Sequence, residues 1–176
     1  MTLKLKRTPG LYLVGFMATG KTTVGRALAD EIGWPFVDID SEIELREGKA
    51  IAKIFSEQGE PAFREIESSV IRTHVKSIET GQPSVMALGG GAFVQPRNWD
   101  LLQNNGVTVW LDCPLDTVCK RLGDCDPTRP LAANRTRLAK LFEDRRPLYA
   151  RADYRVDADT EDTVEILKRI LSLPLF

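Results

Sequence analysis

The sequence contains few of the histidine and cysteine residues that build metal sites and disulfide frameworks. It contains one histidine and three cysteines, and Cys113, Cys119 and Cys125 form no C-x-x-C pair. Zinc sites need tighter cysteine spacing or nearby histidines, and His74 is distant in sequence from all three cysteines. We therefore predict buried or inert thiols, and a structural role for His74 on a helix.

The sequence also lacks an excess of charge and any long apolar run. Its 24 basic and 25 acidic side chains give a formal net charge of −1, whereas a nucleic-acid-binding domain usually carries a basic excess. No run approaches the roughly 20 residues of a transmembrane helix. The first apolar run, residues 11–14, is far shorter than the core of a signal peptide, about 7–15 residues. We predict a cytoplasmic protein without nucleic-acid or membrane partners.

Short apolar runs alternate with longer helical patterns along the 176 residues. This alternation is typical of βαβ units around a mainly parallel sheet, and the length fits one domain, residues 1–176. The patterns predict strands at 11–14, 35–37, 85–88, 107–111 and 154–156, and helices at 22–32, 60–80, 115–122, 135–145 and 162–171. Ligands of such sheets bind beyond the carboxyl ends of the strands, so a site is expected in the segments that follow them.

Residues 15–22, GFMATGKT, match the phosphate-binding pattern G-x-x-x-x-G-K-[ST] between a predicted strand and a predicted helix. In such a loop, backbone N–H groups surround phosphate oxygens, and glycine supplies the unusual dihedral angles. We expect Lys21 to reach the β- and γ-phosphates and the Thr22 hydroxyl to ligate Mg²⁺. The alternative is an accidental match, which average residue usage allows in roughly one sequence in a hundred.

The motif alone does not separate ATPases, GTPases and kinases. The guanine-binding pattern N-K-x-D is absent, which disfavours a GTP switch. The chain is also too short for most motor or transporter ATPase domains. A small kinase is the remaining interpretation.

Four further motifs follow the P-loop in order: FVDID at 36–40, FREIE at 63–67, GGG at 89–91, and RPL at 129–131 followed by RRPLY at 145–149. Together with the P-loop, these motifs resemble the shikimate kinase family over about residues 11–156. The resemblance implies an α/β three-layer sandwich of nucleoside-monophosphate-kinase type with a five-stranded parallel sheet. It also implies ATP-dependent, Mg²⁺-assisted phosphorylation of shikimate on the way to aromatic amino acids. We further expect a monomer.

Asp38 and Asp40 are expected at the end of the second strand. Residues two apart on a strand share a face, so both carboxylates are expected in one cleft. A pair of helix-capping aspartates before Ser41 is the alternative. The resemblance implies that Asp38 serves the magnesium site through water and that Asp40 binds substrate hydroxyls and is the candidate base.

Arg64 is expected near the start of a long helix, with Glu67 on the same face. At this i,i+3 spacing Glu67 can hold the guanidinium in place, although the spacing alone also fits an ordinary surface ion pair. The resemblance implies that Arg64 binds the substrate carboxylate, for which an arginine offers two parallel hydrogen bonds.

Arg145 shares an apolar helical stripe with Leu138, Leu141 and Phe142. An arginine that faces inward needs an anion. We expect the substrate carboxylate to be that anion, whereas Arg146 should face elsewhere. The family motif also selects Arg145.

The resemblance assigns roles to two further segments. Gly89, Gly90 and Gly91 would offer backbone N–H groups to the substrate, with a plain loop as the alternative. Residues 122–134 would form a mobile lid that brings Arg129 to the transferring phosphoryl group, unless Arg129 is a solvated loop residue. The nucleotide contacts that the resemblance implies are Gly15, Ala18, Thr19, Gly20, Lys21, Thr22, Thr23, Arg121 (against adenine) and Arg129.

The sequence departs from the family pattern at three places. Ala18 stands where the family usually has glycine, and we expect a helix-compatible conformation there. The lid is one residue longer between Arg121 and Arg129, and Ala132 replaces a usual leucine. These changes bear on adenine contacts and lid kinetics.

Two other functions compete with shikimate phosphorylation. A kinase of the same architecture that acts on gluconate would also explain two carboxylate-binding arginines. A nucleotide-dependent binding module without turnover is the second alternative, against which Lys21, Asp40 and Arg129 all speak.

Overall fold

The computed structural model describes residues 10–123 and 132–175. Within them the chain forms five strands and seven helices. In chain order these are β1 (Gly10–Val14), α1 (Lys21–Ile32), β2 (Phe36–Asp38), α2 (Ile39–Glu47), α3 (Ile51–Glu79), β3 (Val85–Ala87), α4 (Pro96–Asn105), β4 (Gly106–Asp112), α5 (Leu115–Leu122), α6 (Ala132–Tyr149), β5 (Tyr154–Asp157) and α7 (Thr163–Leu171).

The five strands form one parallel sheet in the order β2-β3-β1-β4-β5. β1 lies at the centre, and all five of its residues are buried. The strand order changes direction at β1, and the carboxyl edge beside such a switch point is where open α/β sheets bind ligands. The predicted α/β class with a five-stranded parallel sheet is confirmed.

Side chains that alternate along β1 enter two separate cores. Tyr12 and Val14 pack in the core under α2 to α6, whereas Leu11 and Leu13 pack in the core under α1 and α7. This alternation is the period of two that an extended strand imposes. The predicted three-layer sandwich therefore rests on two apolar cores, one on each face of the sheet.

The predicted strand bounds lie within one residue of those in the structure, but three helical segments escaped prediction. α2 buries only Ile39 and Ile43, and α4 buries only Asn98 and Leu102, so neither has a clear apolar stripe. The start of α3 also escaped, because Gly59, at φ 80°, bends the helix just before Pro61.

The remaining structural expectations concern the membrane, the thiols and His74. No helix of residues 10–123 and 132–175 is long and apolar enough to cross a membrane. Cys113 and Cys119 are buried thiols, as predicted, and Cys125 lies outside the described residues. His74 lies on α3, with its Nε2 atom 3.6 Å from a carboxylate oxygen of Glu42 on α2.

Candidate active site

The P-loop connects the end of β1 at Val14 with the start of α1 at Lys21. Gly15, at φ 142°, and Gly20, at φ 91°, both have left-handed backbone conformations, which glycine adopts without steric cost. A Cβ atom at Gly15 would also lie only 2.7 Å from the carbonyl oxygen of Leu111. Both glycines of the motif are therefore required by backbone geometry.

Ala18 corrects one expectation. Its φ is +59°, and it is the one non-glycine residue with positive φ in the part of the chain that the structure describes. The helix-compatible conformation expected from the sequence is therefore wrong. The loop turns through the left-handed region at Ala18, where the Cβ of alanine costs about 1–2 kcal/mol.

Lys21 and Thr22 begin α1 and line one cavity with Asp38, the last residue of β2, and with Asp40. The Lys21 ammonium donates a 2.6 Å hydrogen bond to the carbonyl of Phe16. Burial lowers the pKa of Lys21 to about 8, although Asp40 and Asp38 oppose this shift. The Thr22 hydroxyl donates to Asp38 at 2.6 Å, so these two oxygen-bearing side chains lie next to each other at the start of α1.

Asp38 and Asp40 line the same cavity, as predicted, but not for the predicted reason. β2 ends at Asp38, whose carboxylate caps α2 by accepting a 3.2 Å hydrogen bond from the Ser41 N–H. Asp40 lies in the first helical turn, so the two residues do not share a strand face. The capping alternative was correct for Asp38. Burial, and then the negative charge of Asp38, raises the pKa of Asp40, which Lys21 partly offsets.

Arg64 is held by two glutamates of its own helix. Its guanidinium donates to Glu67 at 2.9 Å and to Glu60 at 3.0 Å. The Glu67 side chain is only 1% exposed, which excludes an ordinary surface pair. Burial raises the pKa of Glu67, and its Oε1 atom has no hydrogen-bond partner among the described residues.

Charged side chains lie against the glycine run that follows β3, residues 89–91. A Cβ atom at Gly89 would lie 2.7 Å from an oxygen of Asp40, and one at Gly91 would lie 2.7 Å from Cζ of Arg64. None of the three glycines has a positive φ. At Gly89 and Gly91 the space of a side chain is therefore occupied by Asp40 and Arg64, which sequence alone did not indicate.

Arg145 approaches the glycine run from α6. A Cβ atom at Gly90 would lie 3.6 Å from its Nη1 atom. Arg146 faces elsewhere, as expected, since it pairs with Asp112 at 3.0 Å and lies over the ring of Trp110. Of the two adjacent arginines, only Arg145 lies beside the glycines that follow β3.

Tyr149 is a residue of this region to which the sequence gave no role. Its hydroxyl donates a short hydrogen bond to the carbonyl of Gly90. Burial raises the pKa of Tyr149 to about 12, and Arg145 opposes this by its charge and by a hydrogen bond. The sequence did mark Tyr149, because it is the last residue of the RRPLY motif. Its partner Gly90 could not be identified from sequence, because it follows β3, 59 positions away.

A cavity of about 340 Å³, large enough for a small ligand, lies between the P-loop, the two aspartates and the first two glycines of the run after β3. Its lining residues are Met17, Ala18, Gly20, Lys21, Thr22, Thr23, Asp38, Asp40, Ala87, Leu88, Gly89 and Gly90. The Thr19 side chain is buried and donates to the carbonyl of Phe16, which leaves its backbone N–H for any phosphate contact.

Of the two arginines expected to contact the nucleotide from the lid and its base, only Arg121 belongs to the described residues. Arg129 and most of the expected lid lie outside the described residues. Arg121 lies beside the P-loop and donates a 3.2 Å hydrogen bond to the carbonyl of Ala18. Its predicted packing against adenine stays a prediction.

The donor set is compatible with Mg²⁺. Among the described residues, no group of three or more His, Cys, Asp or Glu side chains could enclose a metal ion. Mg²⁺ does not need such a cage, because it keeps several waters and binds one or two protein oxygens together with substrate phosphates. The Thr22 hydroxyl and the Asp38 carboxylate provide such oxygens at the edge of the P-loop.

Comparisons with known proteins agree with this geometry. The family model described as shikimate kinase matches residues 17–173. A shikimate kinase of Persephonella marina is 42% identical over 161 residues, covering 92% of this chain and 96% of that protein.

Solved structures give the same result. Shikimate kinase from Acinetobacter baumannii in complex with shikimate has a TM-score of 0.83 and 36% identity, with 97% of this chain and 94% of that one covered. The enzyme from Aquifex aeolicus has a TM-score of 0.79 and 34% identity, with coverages of 92% and 93%. The chain belongs to the shikimate kinase family.

Proposed function

We propose that the chain transfers the γ-phosphoryl group of ATP to a hydroxyl of shikimate, giving ADP and shikimate 3-phosphate. One observation carries this proposal. The half-buried Asp40 carboxylate lines the cavity together with Lys21 and Thr22, and the positive charges of Lys21 and Arg64 both act to lower its pKa. A single carboxylate thus interacts with a phosphate-binding cation and with a cation suited to a carboxylate.

On the nucleotide side, catalysis is positioning and charge neutralisation. The backbone of residues 15–22 would bind the phosphates, and Lys21 would place its ammonium between the β- and γ-phosphates. Thr22, and Asp38 through water, would hold Mg²⁺, which when bound neutralises charge on the phosphate oxygens. The Thr22–Asp38 contact of 2.6 Å supports this assignment.

On the acceptor side, Asp40 would orient the reacting hydroxyl and accept its proton. The raised pKa of Asp40 makes it a stronger base than an exposed aspartate. Arg64 and Arg145 would bind the carboxylate of shikimate from two helices. Since Glu60 and Glu67 already hold Arg64, little side-chain entropy is lost when substrate binds.

The proposal includes three expectations that rest on the sequence and the family. Arg129 would neutralise charge on the transferring phosphoryl group when residues 122–134 close over the nucleotide. Arg121 would contact adenine. The protein would act as a cytoplasmic monomer on small molecules.

The test is an ADP-release assay with shikimate, quinate and gluconate as alternative acceptors. We expect the highest kcat/KM for shikimate, and a loss of transfer in Lys21→Ala with the thermal melt unchanged. Faster turnover of gluconate would favour a sugar-acid kinase instead. ADP release that is equally fast without any acceptor would contradict the kinase proposal.

A further inference from the structure

Arg121 occupies an unusual position at the end of α5. The helix ends at Leu122 and is capped by Gly123, and the Arg121 side chain turns inward so that only 17% of it is exposed. Its guanidinium contacts three separate parts of the chain: the P-loop, the end of β4 and the loop that follows β5. Arg121 therefore joins segments that are distant in sequence around the nucleotide side of the site.

Every N–H donor of this guanidinium has a partner in the protein. Nη1 donates to the carbonyl of Ala18 at 3.2 Å and to Sγ of Cys113 at 3.6 Å. Nη2 donates to the carbonyls of Ala158 at 3.2 Å and Thr160 at 2.7 Å, and Nε donates to Glu161 at 3.5 Å. Arginine has five such donors in a rigid plane. A guanidinium that served only as a surface for a base would not need all of its edges satisfied by protein.

The P-loop partner of Arg121 is the strained residue. Ala18 has φ +59° and lines the 340 Å³ cavity. An alanine disfavours this conformation by about fivefold to thirtyfold in population, the equivalent of about 1–2 kcal/mol. A charge-assisted hydrogen bond to its carbonyl favours the one peptide orientation that presents this oxygen to Arg121.

We propose that Arg121 is a positioning residue that holds the P-loop in its phosphate-binding conformation through the carbonyl of Ala18. The hydrogen bond offsets the cost of alanine at a left-handed position. The same guanidinium ties the P-loop to Ala158 and Thr160, so the loop after β5 supports the phosphate site. This inference rests on the proposed use of ATP, and it is separate from any contact of Arg121 with the base.

Glycine at position 18 makes the inference testable. Glycine adopts positive φ without the steric cost, so the loop of Ala18→Gly needs no external support there. Removal of Arg121 should then matter much more when residue 18 is alanine than when it is glycine. A role in base stacking, or in holding the loop after β5, does not depend on residue 18.

The experiment is a double-mutant cycle that measures the Kd of Mg²⁺–ATP by titration calorimetry on the free chain, without shikimate. The four proteins are the original chain, Arg121→Ala, Ala18→Gly and the double variant. We expect the affinity loss caused by Arg121→Ala to be about fivefold to thirtyfold greater with alanine at position 18 than with glycine. Losses that agree within about twofold, the range of additive behaviour, would overturn the proposal.

One control variant and one replacement variant make the outcome of the cycle unambiguous. Arg169 also donates to a backbone carbonyl at the end of β5, that of Asp157 at 2.7 Å, and among the described residues no hydrogen bond joins it to the P-loop. Arg169→Ala should therefore change the Kd of ATP equally in both backgrounds, and a dependence on residue 18 would contradict the specificity claimed for Arg121. If Arg121→Ala does not fold, Arg121→Met replaces it, because a methionine side chain has no N–H group to donate to the carbonyl of Ala18, and the same ratio decides.

The readout separates this inference from the proposed function. A chain that binds ATP and shows the expected ratio, but does not phosphorylate shikimate, would refute only the proposed function. A chain that phosphorylates shikimate with additive losses would refute only the role of Arg121. Absence of ATP binding in the original chain would overturn both.

Discussion

The two halves of the candidate site are built in different ways. The phosphate half is one continuous loop, residues 15–22, whose shape depends on backbone angles at Gly15, Ala18 and Gly20. The acceptor half is assembled from charged side chains of three helices, with Asp40 from α2, the Arg64–Glu67 pair from α3 and Arg145 from α6. The first half should therefore be sensitive to backbone strain, and the second to the loss of single charges.

The largest expected effect lies where the two halves meet. Asp40→Asn keeps the shape of the side chain and removes the charge that orients or deprotonates the hydroxyl. We expect kcat to fall by about a hundredfold to ten-thousandfold, the usual contribution of a general base. Steady-state kinetics, with a thermal melt to confirm folding, measures this, and near-normal turnover would eliminate Asp40 as the base.

Asp38→Asn is the matched control for that variant. Its carboxylate contacts Thr22 at the proposed magnesium site, so this variant should need more Mg²⁺ for half-maximal activity. Identical magnesium titrations for the two variants would remove the distinction between the two aspartates.

Variants of the acceptor half should affect the affinity for shikimate and the affinity for ATP to different extents. Arg64→Ala and Arg145→Ala should each weaken shikimate binding much more than ATP binding. A hydrogen bond to a charged group contributes about 1.5–3 kcal/mol, or roughly tenfold to a hundredfold in affinity. Calorimetric titration with both ligands measures this. Arg97→Ala, at an exposed arginine paired with Glu65, is the control, and equal losses for both ligands would mark the two arginines as structural.

The phosphate half should show its own dependence on pH. Burial lowers the pKa of Lys21 to about 8, opposed by Asp40 and Asp38 and assisted by Arg145. Bound phosphates would raise that pKa, so ATP binds the protonated form. As pH rises through 8, binding must be accompanied by proton uptake, and ATP affinity should fall by roughly tenfold between pH 7 and 9.

Calorimetry in buffers with different ionisation enthalpies measures that proton uptake. Lys21→Arg, whose side chain stays charged throughout this range, is the control and should show no such uptake. An ATP affinity of the original chain that does not change between pH 7 and 9 would refute the lowered pKa.

The smallest expected effect concerns Tyr149, which connects the glycine run with Arg145. Tyr149→Phe keeps the ring and removes the hydroxyl that donates to Gly90. We expect the KM for shikimate to rise by roughly twofold to tenfold, the value of one hydrogen bond, with little change in kcat. Tyr12→Phe removes a similar bond to the carbonyl of Asn105 and should leave this KM unchanged. The same KM in both variants would show that Tyr149 only packs.

The contrast between the halves also explains what sequence could predict. Lys21 and Thr22 could be named as candidates from the sequence because the eight residues of one continuous loop contain the whole phosphate-binding motif. The strands were found because buried parallel strands form short apolar runs. α2 was missed because it begins at Ile39 directly after β2, with no loop to mark it, and this led to the wrong explanation for Asp38 and Asp40.

Other features depended on contacts between distant residues. The left-handed Ala18 contradicted its own residue preference, because the fold of the loop outweighs a local cost of about 1–2 kcal/mol. The lack of side chains at Gly89 and Gly91 follows from Asp40 and Arg64, which belong to other elements. The bond from Tyr149 to Gly90 spans 59 positions in sequence. No local pattern carries such information.

The central claim is that Asp40 lies between the phosphate half and the carboxylate-binding half of one site. A crystal structure with Mg²⁺–ADP and shikimate tests it most directly. We expect the reacting hydroxyl about 2.6–3.2 Å from an Asp40 oxygen, with the shikimate carboxylate hydrogen-bonded to Arg64 and Arg145. A carboxylate bound away from both arginines, or a hydroxyl beyond the reach of Asp40, would contradict the account.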